Sequence, residues 1–342
     1  MRRIWAWGIA LFCFLGAPGF AGSSHLHHDA ERDFHSPAAK LATGDLSRWR
    51  GRNFTPYAWP VKVLSIGHTM ASYQNYGRLP SGAYFHHGLD IRADAGSTVT
   101  AAVGGKVVNV ENYVAGSPAY WEIAILDDDG FLWQYHHVDR DSIPQAVLDA
   151  FKSGGKIATG AKIGEVYYWP VVTFGERFHH VHLNVLGKDQ SYVNPFSFLA
   201  PLGDSAAPQI KQISIVQNGK RVEGNRVSGK YTLAAEVGDL ILHDKFTVPP
   251  NTISYEVDGS MPVMTWQFDS LPGGSSNTKF VSEFYIGNTC GNYSCRRAVI
   301  DLGFRLSPQQ IFPVTPGPHR IVVRVRDFEG NQAEKSFDWT VN

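Results

Sequence analysis

Histidines are concentrated in one stretch of this sequence. Seven of the 14 histidines in the 342 residues fall between residues 86 and 182. A carboxylate, Asp90, follows the first of them by four residues. Imidazole nitrogens and carboxylate oxygens are typical zinc ligands, and a catalytic zinc site also needs groups that move protons. The seven histidines are His86, His87, His136, His137, His179, His180 and His182.

The last group of histidines lies in a predicted β-strand whose two faces differ in polarity. Side chains alternate along a strand, so His180, His182 and Asn184 in the stretch HHVHLNV share one face. The opposite, largely apolar face consists of His179, Val181, Leu183 and Val185. We therefore expect His180 and His182 to point together into a polar site, where one binds a metal ion and the other assists beside it.

The stretch HHGLD at residues 86–90 offers the other ligands of such a site. Asp90 supplies an oxygen ligand and His86 supplies a third position. Gly88 lies between them and allows the backbone to bend, so that both side chains converge.

The elements around these residues are predicted to be short strands. STVTAAVGGKVVNVENY alternates small and β-branched residues, and YWEIAILDDDGFLWQYHHV is two strands around an Asp-Gly turn. SIPQAVLDAFKSG has apolar residues at helical spacing, which predicts a short helix, with a loop insertion as the alternative. From residue 205 onward, alternating strands recur at short intervals, as in RIVVRVR. They predict a second, immunoglobulin-like β-sandwich domain with Ile321, Val323 and Val325 facing its core.

Composition is ordinary for a globular protein of two domains. The chain is 43% hydrophobic and 18% charged, and its length suffices for two cores. Lys and Arg balance Asp and Glu at 31 each, so the charge gives no reason to expect nucleic acid as a partner. We expect a mostly β protein with an irregular segment at 22–55, one domain at 56–203 and the sandwich at 204–342.

The N-terminus resembles an export signal. Arg2 and Arg3 precede an apolar run that ends in small residues at Ala21, which predicts a signal peptide over residues 1–21. A membrane anchor is the alternative, because the run approaches the length of a span. Cleavage would leave no stable membrane association and would place the protein in the periplasm, the cell envelope or the medium.

Cleavage would also leave two cysteines, Cys290 and Cys295. A close pair in an exported chain predicts a disulfide, and two free thiols are the alternative.

Three motifs of this sequence resemble the lysostaphin-like (LytM-type) zinc peptidases. HHGLD fits the His-x-Gly-x-Asp motif of that family, YHHV fits its Tyr-x-His-Leu element, and HVH fits its His-x-His element. The order and the intervals agree. DIRADAGSTVTAAVGGKVV and GAKIGEV also resemble the connecting segments of the family. The resemblance extends over residues 57–200.

The resemblance implies the roles of five residues and a fold. It makes His86, Asp90 and His182 the ligands of one zinc ion per chain, and His137 and His180 the catalytic pair. The implied fold is a compact antiparallel β-domain of the duplicated hybrid motif type with a long open groove. The implied activity is hydrolysis of peptide bonds, in cross-links or stem peptides, of bacterial peptidoglycan. Other divalent ions can bind the same ligands.

The histidine doublets leave alternatives within this site. His87 competes with His86 as a ligand and otherwise lines the groove, and His136 competes with His137. If His137 faces the site, Tyr135 shares its face and is expected to orient a neighbouring group. His68, His243 and His319 are interpreted as ordinary surface or core residues.

The sequence also departs from the family pattern in two places. Asn184 stands where the family often has Glu, and it is expected beside the ligands rather than among them. The aromatic stretch YYWPVVTFGERF replaces a small Gly- and Ser-rich loop, and its rings are expected to wall the groove or to pack within a longer loop. Two other functions remain open, a non-hydrolytic protein that binds or regulates peptidoglycan enzymes and a zinc protease with protein substrates.

Overall fold

The computed structural model of this protein describes most of the chain after residue 36. The described residues are 37–74, 84–170, 172–173, 175–242, 245–271, 281, 283–286, 298–304, 312 and 315–342. The predicted signal peptide at 1–21 and the predicted disulfide between Cys290 and Cys295 lie outside them. Helices are short in the described part, and none there has the length and apolar character needed to cross a membrane.

The first half of the described chain consists of fourteen strands with short helices between them. Its α-helices are α1 (Leu46–Trp49) and α2 (Gln145–Ser153), and its 3-10 helices are Pro37–Leu41, Arg140–Ser142 and Pro195–Ser197. The helix predicted from SIPQAVLDAFKSG is confirmed by α2. The strands are β1 (Ser65–His68), β2 (Tyr73–Gln74), β3 (Tyr84–Phe85), β4 (Leu89–Arg92), β5 (Thr98–Thr100), β6 (Gly105–Asn112), β7 (Trp121–Asp127), β8 (Leu132–His136), β9 (Lys156–Ile157), β10 (Lys162–Glu165), β11 (Val172–Thr173), β12 (Glu176–Arg177), β13 (His180–Leu186) and β14 (Tyr192–Val193).

One antiparallel sheet dominates this half. Its strand order is β1-β4-β13-β8-β7-β6-β9, and β14 pairs with the far end of β13. Val181, Leu183 and Val185 of β13 are fully buried in one apolar core, which confirms the apolar face predicted from alternation. The opposite face of the same strand is thereby left for polar side chains.

The described part of the segment 22–55 contains a 3-10 helix and the short helix α1 among residues without regular structure. Asp45 begins α1 by accepting a hydrogen bond from the backbone N–H of Ser47 at 3.0 Å. Trp49 is 5% exposed and packs against Phe131 and Phe198, with ring centroids 5.7 and 5.0 Å apart. Buried aromatic area of this size fixes the segment to the main sheet despite its polar composition.

The second half of the described chain forms two five-stranded sheets. Its strands are β15 (Gln209–Gln217), β16 (Lys220–Arg221), β17 (Arg226–Val227), β18 (Thr232–Leu240), β19 (Thr247–Val248), β20 (Thr252–Val257), β21 (Val263–Gln267), β22 (Ser270–Leu271), β23 (Ala298–Asp301), β24 (Gly317–Arg326) and β25 (Gln332–Val341). One sheet contains β16-β15-β18-β19 with β23 paired to β18. The other has the order β17-β25-β24-β20-β21.

These two sheets share one core, so the predicted burial of alternate residues in RIVVRVR is confirmed. Ile321, Val323 and Val325 of β24 are at most 2% exposed and belong to the same apolar cluster as Ile213 and Leu233 of the other sheet. The short strand β22 instead pairs with β14 and joins the sheet of the first half. The immunoglobulin-like assignment and the domain boundaries stay predictions.

Gly88 lies where two strands approach too closely for a side chain. A Cβ atom at this position would lie 2.1 Å from the carbonyl oxygen of Leu183 and 2.4 Å from Asn184 Oδ1. The sequence predicts that Gly88 allows the backbone to bend. The close approach to β13 is a second reason why this position requires glycine. The stretch between β3 and β4 can therefore rest directly on β13 only without a side chain here.

Gly88→Ala is expected to lower the melting temperature, because overpacking a rigid backbone contact costs about 1–3 kcal/mol. Thermal unfolding of the full chain measures the effect. Gly155→Ala is the matched control, since the nearest atom to its Cβ is the flexible hydroxyl of Ser153 at 3.2 Å. An equal or smaller loss for Gly88→Ala than for Gly155→Ala would contradict the close-approach explanation.

Candidate metal centre and catalytic site

A row of polar residues crosses five neighbouring strands of the main sheet. His182 on β13 is directly opposite Asp90 on β4 and His136 on β8. Asp90 is in turn opposite His68 on β1, and His136 is opposite Glu122 on β7. Directly opposite residues in antiparallel strands point to the same side of the sheet. The register therefore places His68, Asp90, His182, His136 and Glu122 side by side on one face.

Three atoms near the centre of this row converge. His182 Nδ1 lies 2.9 Å from Asp90 Oδ1, His86 Nε2 lies 3.1 Å from the same oxygen, and the two nitrogens are 3.0 Å apart. The three side chains form a group that could hold a metal ion. A tetrahedral zinc ion with bonds of about 2.0–2.2 Å spaces its ligand atoms by about 3.3 Å. The donor atoms fit that spacing within a few tenths of an ångström.

Hydrogen bonds on the far side of both rings fix where their protons lie. His86 Nδ1 faces the carbonyl oxygen of Thr69 at 3.1 Å, so this nitrogen donates and Nε2 keeps its lone pair. His182 Nε2 donates to Asn184 Oδ1 at 2.8 Å, which leaves the lone pair on Nδ1. Two lone pairs and a carboxylate oxygen thus face one another. A cation at the centre of such a cluster would neutralise the converging acceptors.

The charges of these groups match that requirement. Burial, partly offset by Asp90, lowers the pKa of His86 to about 4, so the ring is neutral near pH 7. Burial tends to raise the pKa of Asp90, but the surrounding histidines, among them the donor His68, outweigh it and hold this pKa well below the usual range. With the protons placed by these hydrogen bonds, the group combines two neutral imidazoles with one carboxylate, which is a donor set that zinc accepts.

His68 is a member of the site that sequence reasoning missed. Its Nδ1–H donates to Asp90 Oδ2 at 2.6 Å, on the carboxylate oxygen that is turned away from the two ligand nitrogens. The sequence-based interpretation as an ordinary residue is therefore wrong. The stretch SIGH carries no local signal of this contact, because it arises from the pairing of β1 with β4.

Two further histidines stand beside the metal-ligand group. The His137 and His180 rings are 4.6 Å apart, and His180 Nε2 lies 3.8 Å from Asp90 Oδ1. Each ring donates from Nδ1 to a backbone carbonyl, His137 to Ala119 at 2.8 Å and His180 to Phe178 at 2.7 Å. Their Nε2 atoms therefore remain proton acceptors.

Burial keeps both of these histidines neutral. It lowers the pKa of His180 to about 4, although Asp90 opposes the change. It also lowers the pKa of His137 well below its usual value, and the adjacent His180 ring adds to this effect. Each neutral imidazole can therefore accept a proton at Nε2 while its Nδ1–H stays bonded to a carbonyl.

His136 and His137 both reach the polar face because the strand alternation breaks between them. His136 belongs to β8, and its Nε2 meets Glu122 Oε2 at 3.0 Å. His137 follows the strand with a left-handed φ of 62°. This backbone conformation directs the His137 ring toward His180 instead of into the core. Glu122 was not recognised from sequence, because only the pairing of β7 with β8 brings it to His136.

The interrupted alternation between His136 and His137 also makes the prediction for Tyr135 wrong. Tyr135 is fully buried on the apolar face of β8, opposite Leu183, and its hydroxyl accepts a hydrogen bond from the backbone N–H of Ala102 at 2.9 Å. The prediction extended regular alternation to His137, where the backbone no longer alternates. Tyr135 therefore stabilises the core and does not contact the metal-ligand group.

His87 does not line a groove, which corrects a second expectation. Its ring is 3% exposed and stacks on Tyr192 with centroids 4.4 Å apart and planes at 8°. The structure places His86 rather than His87 among the converging atoms. Asn184 lies where the sequence placed it, beside a ligand residue. The roles of all these residues in binding and catalysis stay predictions.

Aromatic rings enclose the His137 and His180 pair. Trp169 packs against both, with centroid distances of 4.6 and 5.1 Å, and Phe178 lies 4.7 Å from His180. Trp169 is partly exposed, so it stands between the histidines and solvent. Part of the aromatic stretch thus packs against the two histidines, and its role as a groove wall stays a prediction. Phe174 lies outside the described residues.

Replacing His68 by Ala is expected to weaken zinc binding about 10- to 100-fold, which is typical when a residue that supports a ligand is lost. Competition with a chromogenic chelator measures the affinity. His319→Ala is the matched control, because His319 Nδ1 meets Asp258 Oδ2 at 2.7 Å in a similar pair far along the chain. Equal zinc affinity in the two variants would contradict a role for His68.

Tyr135→Phe is expected to lower the free energy of unfolding by about 1–3 kcal/mol, because Ala102 N–H loses its buried partner. Zinc affinity should stay unchanged. Denaturant unfolding and the same chelator competition provide the two measurements, with Tyr168→Phe on an exposed ring as the control. Weaker zinc binding without lost stability would restore the original assignment of Tyr135.

Residues 84–195 match Peptidase family M23. The match covers about a third of the chain and includes both histidines of the candidate catalytic pair and all three of the converging ligand residues. Residues 84–195 of the chain therefore contain an M23 peptidase domain. His68 precedes the matched range. No curated protein matches the chain.

Several solved structures resemble parts of the chain at low identity. Csd3 of Helicobacter pylori is 22% identical, with 43% of this chain and 35% of that chain covered and a TM-score of 0.30. A Pseudomonas aeruginosa structure assigned to peptidase M23 is 19% identical, with 52% and 63% covered and a TM-score of 0.30. A LytM-like structure of Ruminococcus gnavus is 24% identical, with 41% and 60% covered and a TM-score of 0.26. The aligned part spans less than two thirds of each of these chains.

Proposed function

We propose that the M23 peptidase domain of this chain is a zinc-dependent endopeptidase that hydrolyses peptide bonds in bacterial peptidoglycan after export. The observation that carries the proposal is the convergence of two imidazole lone pairs and a carboxylate oxygen beside two further neutral histidines. The three ligand residues alone would be equally consistent with a structural metal ion. The two histidines that can accept protons beside them favour a hydrolytic site.

His86, Asp90 and His182 are the residues that would hold the zinc ion. When bound there, zinc supplies a Lewis acid for the scissile carbonyl and makes water more acidic. Asn184 and the Thr69 carbonyl hold the two imidazole rings from behind, and His68 holds the carboxylate. This support orients the ligand atoms before any ion binds.

His137 and His180 would manage the protons of the reaction. Nε2 of either ring can accept a proton from the attacking water, because Nδ1 of each is committed to a backbone carbonyl. The ring that is protonated then donates to the oxyanion or to the leaving amine. The second ring, whose centroid is 4.6 Å away, can orient the water by accepting a hydrogen bond.

Trp169 and Phe178 would restrict water around these two rings. Their contacts reduce the exposure of His137 and His180 to 8% and 5%. A low local dielectric strengthens interactions with the charge that develops in the transition state. The partly exposed edge of Trp169 is also a surface against which a substrate peptide could lie.

The choice of substrate and the export of the protein rest on the sequence. The three motifs resemble those of peptidases that act on peptidoglycan, and residues 1–21 have the pattern of a signal peptide. We propose the periplasm, the cell envelope or the medium as the place of action. Peptidoglycan peptides are the proposed partner.

Digestion of purified sacculi tests this function. The zinc-loaded chain without residues 1–21 is expected to release new peptide fragments that mass spectrometry identifies. A chelator should abolish them, and added zinc should restore them. His180→Ala and His137→Ala should each lower the rate about 10²- to 10⁴-fold, because each removes a proton acceptor.

Bound zinc, measured in every variant, separates lost catalysis from lost metal. His319→Ala is again the control, and it should cleave as the unchanged chain does. Absence of cleavage by a folded, zinc-loaded chain would favour the non-hydrolytic alternative. Cleavage of unfolded casein but not of sacculi would favour a protease of protein substrates.

A further inference from the structure

Three carboxylates meet at a second place in the molecule, away from the histidine row. Oxygens of Asp204, Asp239 and Asp327 lie within 4.8 Å of one another. Asp204 belongs to the connection before β15, Asp239 to β18, and Asp327 follows the end of β24. The cluster therefore joins this connection to both sheets of the second half.

Backbone hydrogen bonds fix one oxygen of each carboxylate. Asp204 Oδ1 accepts from Ala206 N at 3.1 Å, and Asp239 Oδ1 accepts from Leu240 N at 2.9 Å. Asp327 Oδ1 accepts from the N–H groups of two residues in the following turn, at 2.9 and 2.8 Å. The side chains are thus held in place before any ligand arrives.

The remaining oxygens include two that are buried and lack partners. Asp239 is 2% exposed, and its Oδ2 has no hydrogen-bond partner among the described residues. The same holds for Oδ2 of Asp204. None of the ion pairs formed by the described residues involves these three carboxylates. Buried carboxylate oxygens without donors are costly unless a cation neutralises them.

The neighbouring charges and burial act most strongly on Asp239. Burial, followed in importance by the charges of Asp327 and Asp204, raises the pKa of Asp239 to about 7 despite the hydrogen bond from Leu240. The two neighbouring carboxylates thus oppose ionisation of Asp239.

We propose that Asp204, Asp239 and Asp327 bind a calcium ion. The donor set contains only oxygen, which suits a hard cation and distinguishes this cluster from the His and Asp set of the zinc site. Calcium accepts six to eight oxygens in flexible geometry. Three carboxylates that bind through one or both oxygens supply half of that number or more, and water can supply the rest.

Such an ion would stabilise the contact between the two halves of the molecule. Two residues beyond Asp239, the carbonyl of Ile241 accepts from Ile66 N of β1 at 3.3 Å. One residue beyond Asp327, Phe328 stacks on Phe196 with centroids 4.3 Å apart. The ligands therefore lie next to contacts with β1, the strand that carries His68, and with the 3-10 helix Pro195–Ser197.

Isothermal titration of calcium into the full, zinc-loaded chain tests the site. One calcium ion per chain is expected, with a dissociation constant below about 1 mM, as in extracellular modules. Saturating calcium should also raise the melting temperature by a few degrees, because it binds only the folded chain. Asp239→Asn and Asp204→Asn should each weaken binding at least tenfold.

Both variants keep a side-chain oxygen for the backbone donor and remove a negative charge that has a buried, unpartnered oxygen, so neither should melt below the unchanged chain without calcium. Asp338→Asn, at an exposed carboxylate of β25, is the control and should bind calcium normally. Lack of binding by the unchanged chain at about 10 mM calcium would overturn the proposal. Equal affinity in the unchanged chain, Asp239→Asn and Asp204→Asn would overturn it as well.

Discussion

The candidate active site depends on one register, the pairing of β13 with β4 on one side and with β8 on the other. That pairing places His182 between Asp90 and His136, and it extends to His68 and Glu122 at the two ends of the row. A shift of one residue would turn His182 into the apolar core and bring Val181 or Leu183 to the polar face. The burial of those two residues thus also fixes the ligand geometry.

Local patterns were sufficient for those parts of the site that lie within one strand or one tight turn. Alternation along β13 separated His180 and His182 from Val181, and the spacing of His86 and Asp90 around a glycine selected two members of the converging group. Tyr135 failed because the left-handed backbone of His137 interrupts the alternation, and nothing in YHHV signals that conformation. His68 and Glu122 were missed because their neighbours are set by strand pairing over long distances in sequence.

The molecule contains two clusters of buried carboxylates that differ in their metal-binding atoms. Around Asp90, neutral imidazoles supply nitrogen lone pairs, and hydrogen bonds from His68 and to Asn184 and Thr69 set their orientation. Around Asp239, only oxygens converge, and backbone N–H groups orient them. The strand β1 lies between these places, because it pairs with β4 at the histidine row and contacts Ile241 just beyond Asp239. The second half of the chain therefore supports the edge of the sheet that holds the candidate active site.

The central claim is that lone pairs of His86 and His182 and the Asp90 carboxylate converge on one cation. A crystal of the zinc-loaded full chain, with diffraction recorded above and below the zinc absorption edge, tests it most directly. The account predicts one anomalous peak bonded to His86 Nε2, Asp90 Oδ1 and His182 Nδ1, with the His137 and His180 rings beside it but not bonded. A peak held by other residues, or intact side chains at this position without a peak, would contradict it.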